Sequence, residues 1–313
     1  MKKNLLLTVA VVLLAGCSKN ESEMLKTPAN EVRFSNLNDR ITRAANDAGN
    51  DYRVYAKSTL SSETSWFIND VVDGTVNTAA AGPYYWPVAA TVSFFAYAPA
   101  TSGTVTATYA TPSVSIVYTV PSSANEDFTV AEPMTAQSSS TGTPAGTVNF
   151  QFEHKLSKVT VNASLSTALS GAGYTISTAS ATTNFNVASN QGTIDAAVSS
   201  SSFASIGGSS ASYSGAMSYM IMPQSTTGAT LQVKNVTISR GGTTIYTGDL
   251  AVFSFSAGNI SGNAFVKNTH YALNLEITNL SHDDGGNLIF GDEIKFSATT
   301  TTWATSNVPI SQP

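Results

Sequence analysis

Cys17 is the one cysteine in the 313-residue chain. A single thiol cannot close a disulfide within the chain or build a cysteine-based metal site. Its surroundings suggest another chemistry. Lys2-Lys3 gives a positive start, Leu5 to Leu14 is an apolar run of ten residues, and Leu14-Ala15-Gly16-Cys17 has the form of a lipobox. The small residues Ala15 and Gly16 allow close approach of a signal peptidase, and the Cys17 thiol accepts a diacylglycerol. The apolar run has the length of a signal peptide and is short for a membrane span. Cys17 is therefore read as the lipidation site, with more than one acyl chain making the attachment stable. Residues 1–16 are the signal peptide and 17–30 the lipidated tether.

A second reactive position is the peptide bond after Arg43. Ala44-Ala45-Asn46-Asp47-Ala48-Gly49 follows it, small and polar, of the kind that trypsin-like proteases cut at exposed loops. The pair Arg43 and Ala44 is taken as the processing site, with Arg40 as the alternative. Just upstream, Val32 and Phe34 alternate with polar neighbours as a half-buried strand requires. Cutting after Arg43 would make residues 31–43 a removable first strand. A sheet that loses a strand keeps an apolar groove and unpaired backbone groups, which another chain can fill.

Other candidates for chemistry are sparse. His154 lies in phase with Phe150, Phe152 and Leu156, and is read as a core-edge histidine donating to a backbone carbonyl rather than a catalyst. His270 stands at a strand start. His282 sits in the run Ser281-His282-Asp283-Asp284-Gly285-Gly286-Asn287, where Asp283, Asp284 and Asn287 could hold Ca²⁺; the ligand ladder of a calcium loop is missing and a plain turn is favoured. Glu126-Asp127 could be half of a glycosidase carboxylate pair, but a solvated strand end is the preferred reading. Trp66, Tyr84, Tyr85 and Trp86 could stack on sugars or fill a core, with the core favoured. No nucleophile elbow, P-loop or dinucleotide fingerprint is present. No enzyme, metal or cofactor is expected.

The elements that must position these residues read as strands. Charged residues make up 11% of the chain, against about 25% in average domains. Hydrophobic residues are 42%, enough for large cores without disulfides. The formal charge of −5 becomes −7 without Lys2 and Lys3, and −8 once residues 17–43, with five basic and four acidic side chains, are gone. Nucleic acid is therefore not an expected partner.

Thr91 to Ala98, TVSFFAYA, is apolar on both faces and suits a central strand. Residues 137–146 are rich in Ser, Thr, Gly and Pro and read as a linker, with a domain boundary near Thr147. From Val148 the apolar set keeps one parity to Leu156, then shifts to Val159, Val161 and Ala163. A β-bulge near Ser157-Lys158 is expected, or a strand break there. Ser199 to Ser214 reads as a loop. Arg240-Gly241-Gly242 is placed at a hairpin tip, and Tyr271, Leu273, Leu275 and Ile277 alternate. Nothing after Ala44 shows a capped helical period. The fold class expected is all-β, with strands at the spacing of sandwiches.

Five stretches together resemble the fimbrillin family of Gram-negative anaerobes: MKKNLLLTVAVVLLAGCSKN; VRF…ITRA; YYWP…VSFFAYAP; FEHKLSKVTV; and HYALNLEITN leading to Trp303. The likeness runs from Met1 to about Ile310. It implies a lipoprotein-precursor pilin with two tandem transthyretin-like β-sandwich domains, here residues 31–146 and 147–313. It also implies trimming after an arginine by a gingipain-like protease, and strand exchange with other pilin subunits. The outer membrane would hold the precursor through its lipid, and the cell surface the assembled fimbria. The segment from about Ile294 to Ile310 is then the candidate donor strand, with Val308 and Ile310 entering alternate pockets. Pro309 lacks a donor and fits only an edge position. Stalk and tip roles both remain open. The alternative is a surface lipoprotein that binds glycans without polymerising.

Overall fold

The computed structural model describes residues 28–36, 51–59, 64–88, 90–101, 103–108, 113–121, 126–131, 137–138, 146–195, 204–205, 211–214, 217–282, 288–289 and 294–302. Strands dominate them, arranged in several small sheets. One short α-helix, Thr167–Gly171, departs from the expected all-strand reading; the Ser166 hydroxyl caps it by accepting from the Leu169 N–H at 3.4 Å. Five residues are too few for a 3.6-residue period to stand out in sequence. None of the described helices is long and apolar enough to cross a membrane.

The sheet nearest the first strand runs in the order Phe152–His154, Thr129–Ala131, Thr91–Ala98, Tyr52–Ser58, Ile68–Val72. Thr91–Ala98 is central, as its two apolar faces require. Val92, Phe94 and Ala96 enter one core; Tyr97, with Phe95 packed beside it, enters another. Tyr52, Val54 and Ala56 face the first core, and Tyr55 the second. This sheet is thus covered on both sides.

Strand pairing crosses the position near Thr147. Thr147–Phe150 lies parallel to Arg33–Asn36, and Phe152–His154 antiparallel to Thr129–Ala131. Further on, Gln191–Asp195 pairs with Ser113–Thr119. The chain changes core between Phe152 and Leu156. The parity shift seen in sequence is resolved there as a strand break, with Lys155 and Leu156 between two strands, and not as a bulge. The next strand, Ser157–Leu165, pairs with Ser218–Ile221 and Thr269–Ile277.

Thr269–Ile277 buries Tyr271, Leu273, Leu275 and Ile277, as their alternation predicts. Against it lies Ile294–Thr302, whose Phe296 stacks on Phe253 at 4.3 Å. The expected hairpin forms between Val236–Arg240 and Thr243–Gly248. Its two-residue tip has φ of 55° at Gly241 and 81° at Gly242, which glycine reaches without a Cβ penalty. A register shift does occur in this hairpin, between Ile238 and Ser239. The run from Ser199 to Ser214 is not wholly loop: Ala204–Ser205 and Ala211–Ser214 are strands, and Tyr213 is buried against Thr182–Val187. Serine and alanine dilute the β signal there, so one tyrosine carries it.

Candidate functional site

The residues with most to say about function are those that seat the first strand. Val32 and Phe34 are 5% and 7% exposed, in line with their alternation, while Arg33 between them points outward. Two separate segments receive this strand. On one, the Trp86 N–H donates to the Asn30 carbonyl at 2.9 Å and the Val32 N–H donates to the Tyr84 carbonyl at 2.8 Å. Between them Glu31 and Tyr85 form an antiparallel bridge. The Asn30 side-chain amide adds a bond to the Trp86 carbonyl at 3.1 Å. On the other segment, Arg33–Asn36 runs parallel to Thr147–Phe150.

The seat is aromatic. Phe34 stacks on Phe150 with ring centres 5.9 Å apart and meets Phe94 edge-on at 6.5 Å. Phe150 also touches Tyr52, Phe94 and Phe152. Trp86 is fully buried beside Phe94 at 5.8 Å, and Trp66 packs between Tyr55 and Phe95. The aromatic run around Tyr84 to Trp86 therefore serves core packing, the favoured reading above.

The segment from Asp73 to Tyr84 forms a wall beside the strand. Asp70 holds it: one carboxylate oxygen accepts from the Ala81 N–H at 2.7 Å and from the Tyr84 hydroxyl at 3.2 Å. Burial, and then the Asp70 charge, push the Tyr84 hydroxyl above its usual range. Asp73 caps the turn by accepting from Thr75 and Val76 N–H groups at 2.7 and 3.0 Å. Those donors, Val76 first, hold its carboxyl below the ordinary value. The Tyr52 hydroxyl fixes Asn77 at 2.9 Å, where φ is 56°. Between wall and strand lies a cavity of about 400 Å³ lined by Glu31–Phe34, Val76–Ala79 and Gly82–Tyr84. Nothing in the sequence marked Asp70, because its role depends on a loop eleven residues away.

Cys17, Arg40, Arg43, Ala44, Val308 and Ile310 lie outside the described residues. So does the Asp283–Asn287 run considered for Ca²⁺. The proposed donor range is narrowed at its start: Ile294–Thr302 already occupies a place in its own chain's sheet.

The remaining polar candidates have structural partners. The reading of His154 gains a partner that the sequence did not name: its Nδ1 pairs with the Asp127 carboxylate. Asp127 is buried, also accepts from the Phe128 N–H at 2.8 Å, and is no solvated strand end. Its neighbour Glu126 accepts from the Tyr118 hydroxyl at 3.0 Å. Lys155, two residues on, and Lys267, 114 residues on, both reach the Glu153 carboxylate. Lys155 is 1% exposed, and no spacing rule applied to the sequence marked it. Among the described residues no group of three or more His, Cys, Asp or Glu could hold a metal ion.

His270 accepts from or donates to the Thr160 hydroxyl at 2.9 Å. Burial, and then the Lys158 charge, hold its imidazole below the ordinary value of 6.5. The unfolded chain therefore binds this proton more tightly than the folded one. Stability from neutral His270 is present above pH 6.5 and is lost as pH falls through the lower folded value. His270→Gln is expected to flatten the decline in urea midpoint below that pH. An unchanged acid limb would remove His270 from the account.

A family model described as fimbrillin-like matches residues 40–303. Among solved structures, a putative cell adhesion protein of Bacteroides uniformis aligns with a TM-score of 0.55 at 17% identity, covering 88% of this chain and 99% of that one. A fimbrial protein of Bacteroides vulgatus also gives 0.55, at 16% identity, covering 88% and 100%. At these identities the likeness is one of fold. A search among curated proteins found no similar sequence.

Proposed function

Because the chain belongs to the fimbrillin-like family, we propose that it is a structural subunit of a surface fimbria, made as a lipoprotein and assembled by strand exchange. The family is one of structural proteins, not of enzymes. In this reading the precursor is exported, acylated at Cys17 and held at the outer membrane. An Arg-specific trypsin-like protease cuts between Arg43 and Ala44, and the first strand leaves. A neighbour's tail, through Val308 and Ile310, takes its place, and the polymer supports adhesion. The two lobes would be transthyretin-like sandwiches, residues 31–146 and 147–313, with Thr147–His154 reaching back into the first.

The observation that carries this reading is the seat of Val32 and Phe34. A strand that precedes the cut in sequence closes an aromatic core, held by backbone bonds to two separate segments. An extended replacement could reuse both edges. The family match gives further support.

The N-terminus of protein recovered from the cell surface tests this. High-mass material is expected to begin at Ala44. In an Arg43→Ala strain, full-length lipidated chain should stay in the membrane, and ladders on a native gel should shrink to a trace. Polymer that begins at Cys17, or normal ladders in that strain with no cut at Arg40, would sink the reading.

A further inference from the structure

Strand exchange leaves open how the second chain gains a foothold while the first strand is still in place. The cavity beside that strand supplies one. Its lining comes from Glu31–Phe34 and from the wall Val76–Tyr84, with no residue of Thr147–Phe150, so it lies along the strand's other edge. Side chains alternate without a break from Asn30 to Phe34. Backbone groups must alternate with them. Val32 turns its N–H toward Tyr84, so by this alternation Phe34, two residues on and also lining the cavity, would turn its N–H and C=O to the same edge. Past Tyr84 the opposite wall is a loop rather than a continuing strand. The result is a slot with one strand edge, a floor of core residues and a fixed far side. Val76, 65% exposed, is part of its lining.

We propose that this slot is a landing site for the tail of a second copy of the chain, residues 303–313, occupied before the first strand departs. The proposal rests on the strand-exchange reading above and adds an intermediate to it. Four features favour that occupant. The eleven residues WATSNVPISQP follow the last described strand and can span up to about 36–40 Å when extended. They carry no charged side chain, and the slot lining holds one acidic and one basic residue, Glu31 and Arg33. In an extended strand Val308 and Ile310, two apart, would present their side chains to one face. Their N–H and C=O groups would then share one edge, while Pro309, with no N–H, would face the other. A slot with a strand on one side only asks nothing of that second edge, so the proline is tolerated here. The cavity also falls within the roughly 300–1,000 Å³ of ordinary ligand sites.

The test uses a fluorescent synthetic peptide of residues 303–313 and the full-length Arg40→Ala/Arg43→Ala protein in detergent, in which the first strand cannot be released. Saturable binding is expected. Val76→Arg, at an exposed position that leaves the core untouched, should weaken it about tenfold or more, as should Val308→Asp or Ile310→Asp in the peptide. Binding that survives Val76→Arg would place the tail elsewhere and overturn the assignment. Binding to cut protein alone would overturn the landing site and leave strand exchange standing. No binding to either form would overturn both.

Discussion

Phe34→Ala should destabilise the uncut precursor by about 3–5 kcal/mol and leave the processed protein unchanged. The first half follows from packing. Phe34 is 7% exposed and its ring covers Phe150 and Phe94, so truncation leaves a void against two aromatic walls. Large-to-small changes of this kind cost about 3–5 kcal/mol, because the surroundings relax only partly. The wall is tied back by Asp70 and Asp73, and the far edge by the Thr147–Phe150 ladder, so neither can collapse far into the space. The second half follows from order in the chain. Residue 34 precedes Arg43, so a processed subunit no longer contains the substitution. Chemical unfolding of the Arg43→Ala precursor, with and without Phe34→Ala, measures the first effect, and unfolding of the cut protein the second. A loss below about 1 kcal/mol in the precursor would mean that Phe34 does not hold the groove closed. An equal loss in processed material would mean that the strand is never removed. A weaker plug should also leave sooner, so ladders should appear earlier in the Phe34→Ala strain and reach the same final mass.

What could be read in the sequence was whatever a period of two writes directly. Val32 and Phe34, the two-faced TVSFFAYA strand, and Tyr271 to Ile277 all show their burial in their spacing. The Gly241-Gly242 tip shows its turn in its composition. What stayed hidden depends on where distant strands meet. The shift in parity after Leu156 was visible, but a bulge and a strand break write the same pattern. Only the change of core, from Phe152 to Leu156, separates them. Asp127 looked solvated because it follows Asn125-Glu126, and the partner that receives its carboxylate, His154, lies 27 residues later. The two edges that seat the first strand come from Tyr84–Trp86 and Thr147–Phe150, a pairing between remote segments that no local pattern encodes.

The junction between the two cores carries the other large expected effect. Lys155 sits in the strand break, 1% exposed, with its N–H donating to the Phe128 carbonyl at 2.9 Å. Its ammonium meets the Glu153 carboxylate, which Lys267 also reaches at 2.9 Å. The adjoining Asn268 N–H donates to the Leu156 carbonyl at 2.9 Å, so the same turn is fastened to the break twice. Glu153→Ala takes away the carboxylate shared by both lysines and leaves the Lys155 charge in a site that water does not reach. Breaking a buried pair from one side typically costs about 3–5 kcal/mol, and the partial exposure of Glu153 points to the lower end, about 3 kcal/mol. Replacing both members, Glu153→Met with Lys155→Met, should recover most of that loss, since a matched apolar pair carries no desolvation penalty. The contrast between single and double variants separates charge from packing. Added salt should change the cost little, because the Lys155 end of the pair is shielded from solvent ions. If the double variant is as unstable as Glu153→Ala, the junction depends on the shape of these side chains. If Glu153→Ala is neutral, Lys155 finds solvent by moving, and the break between the cores is looser than its hydrogen bonds imply.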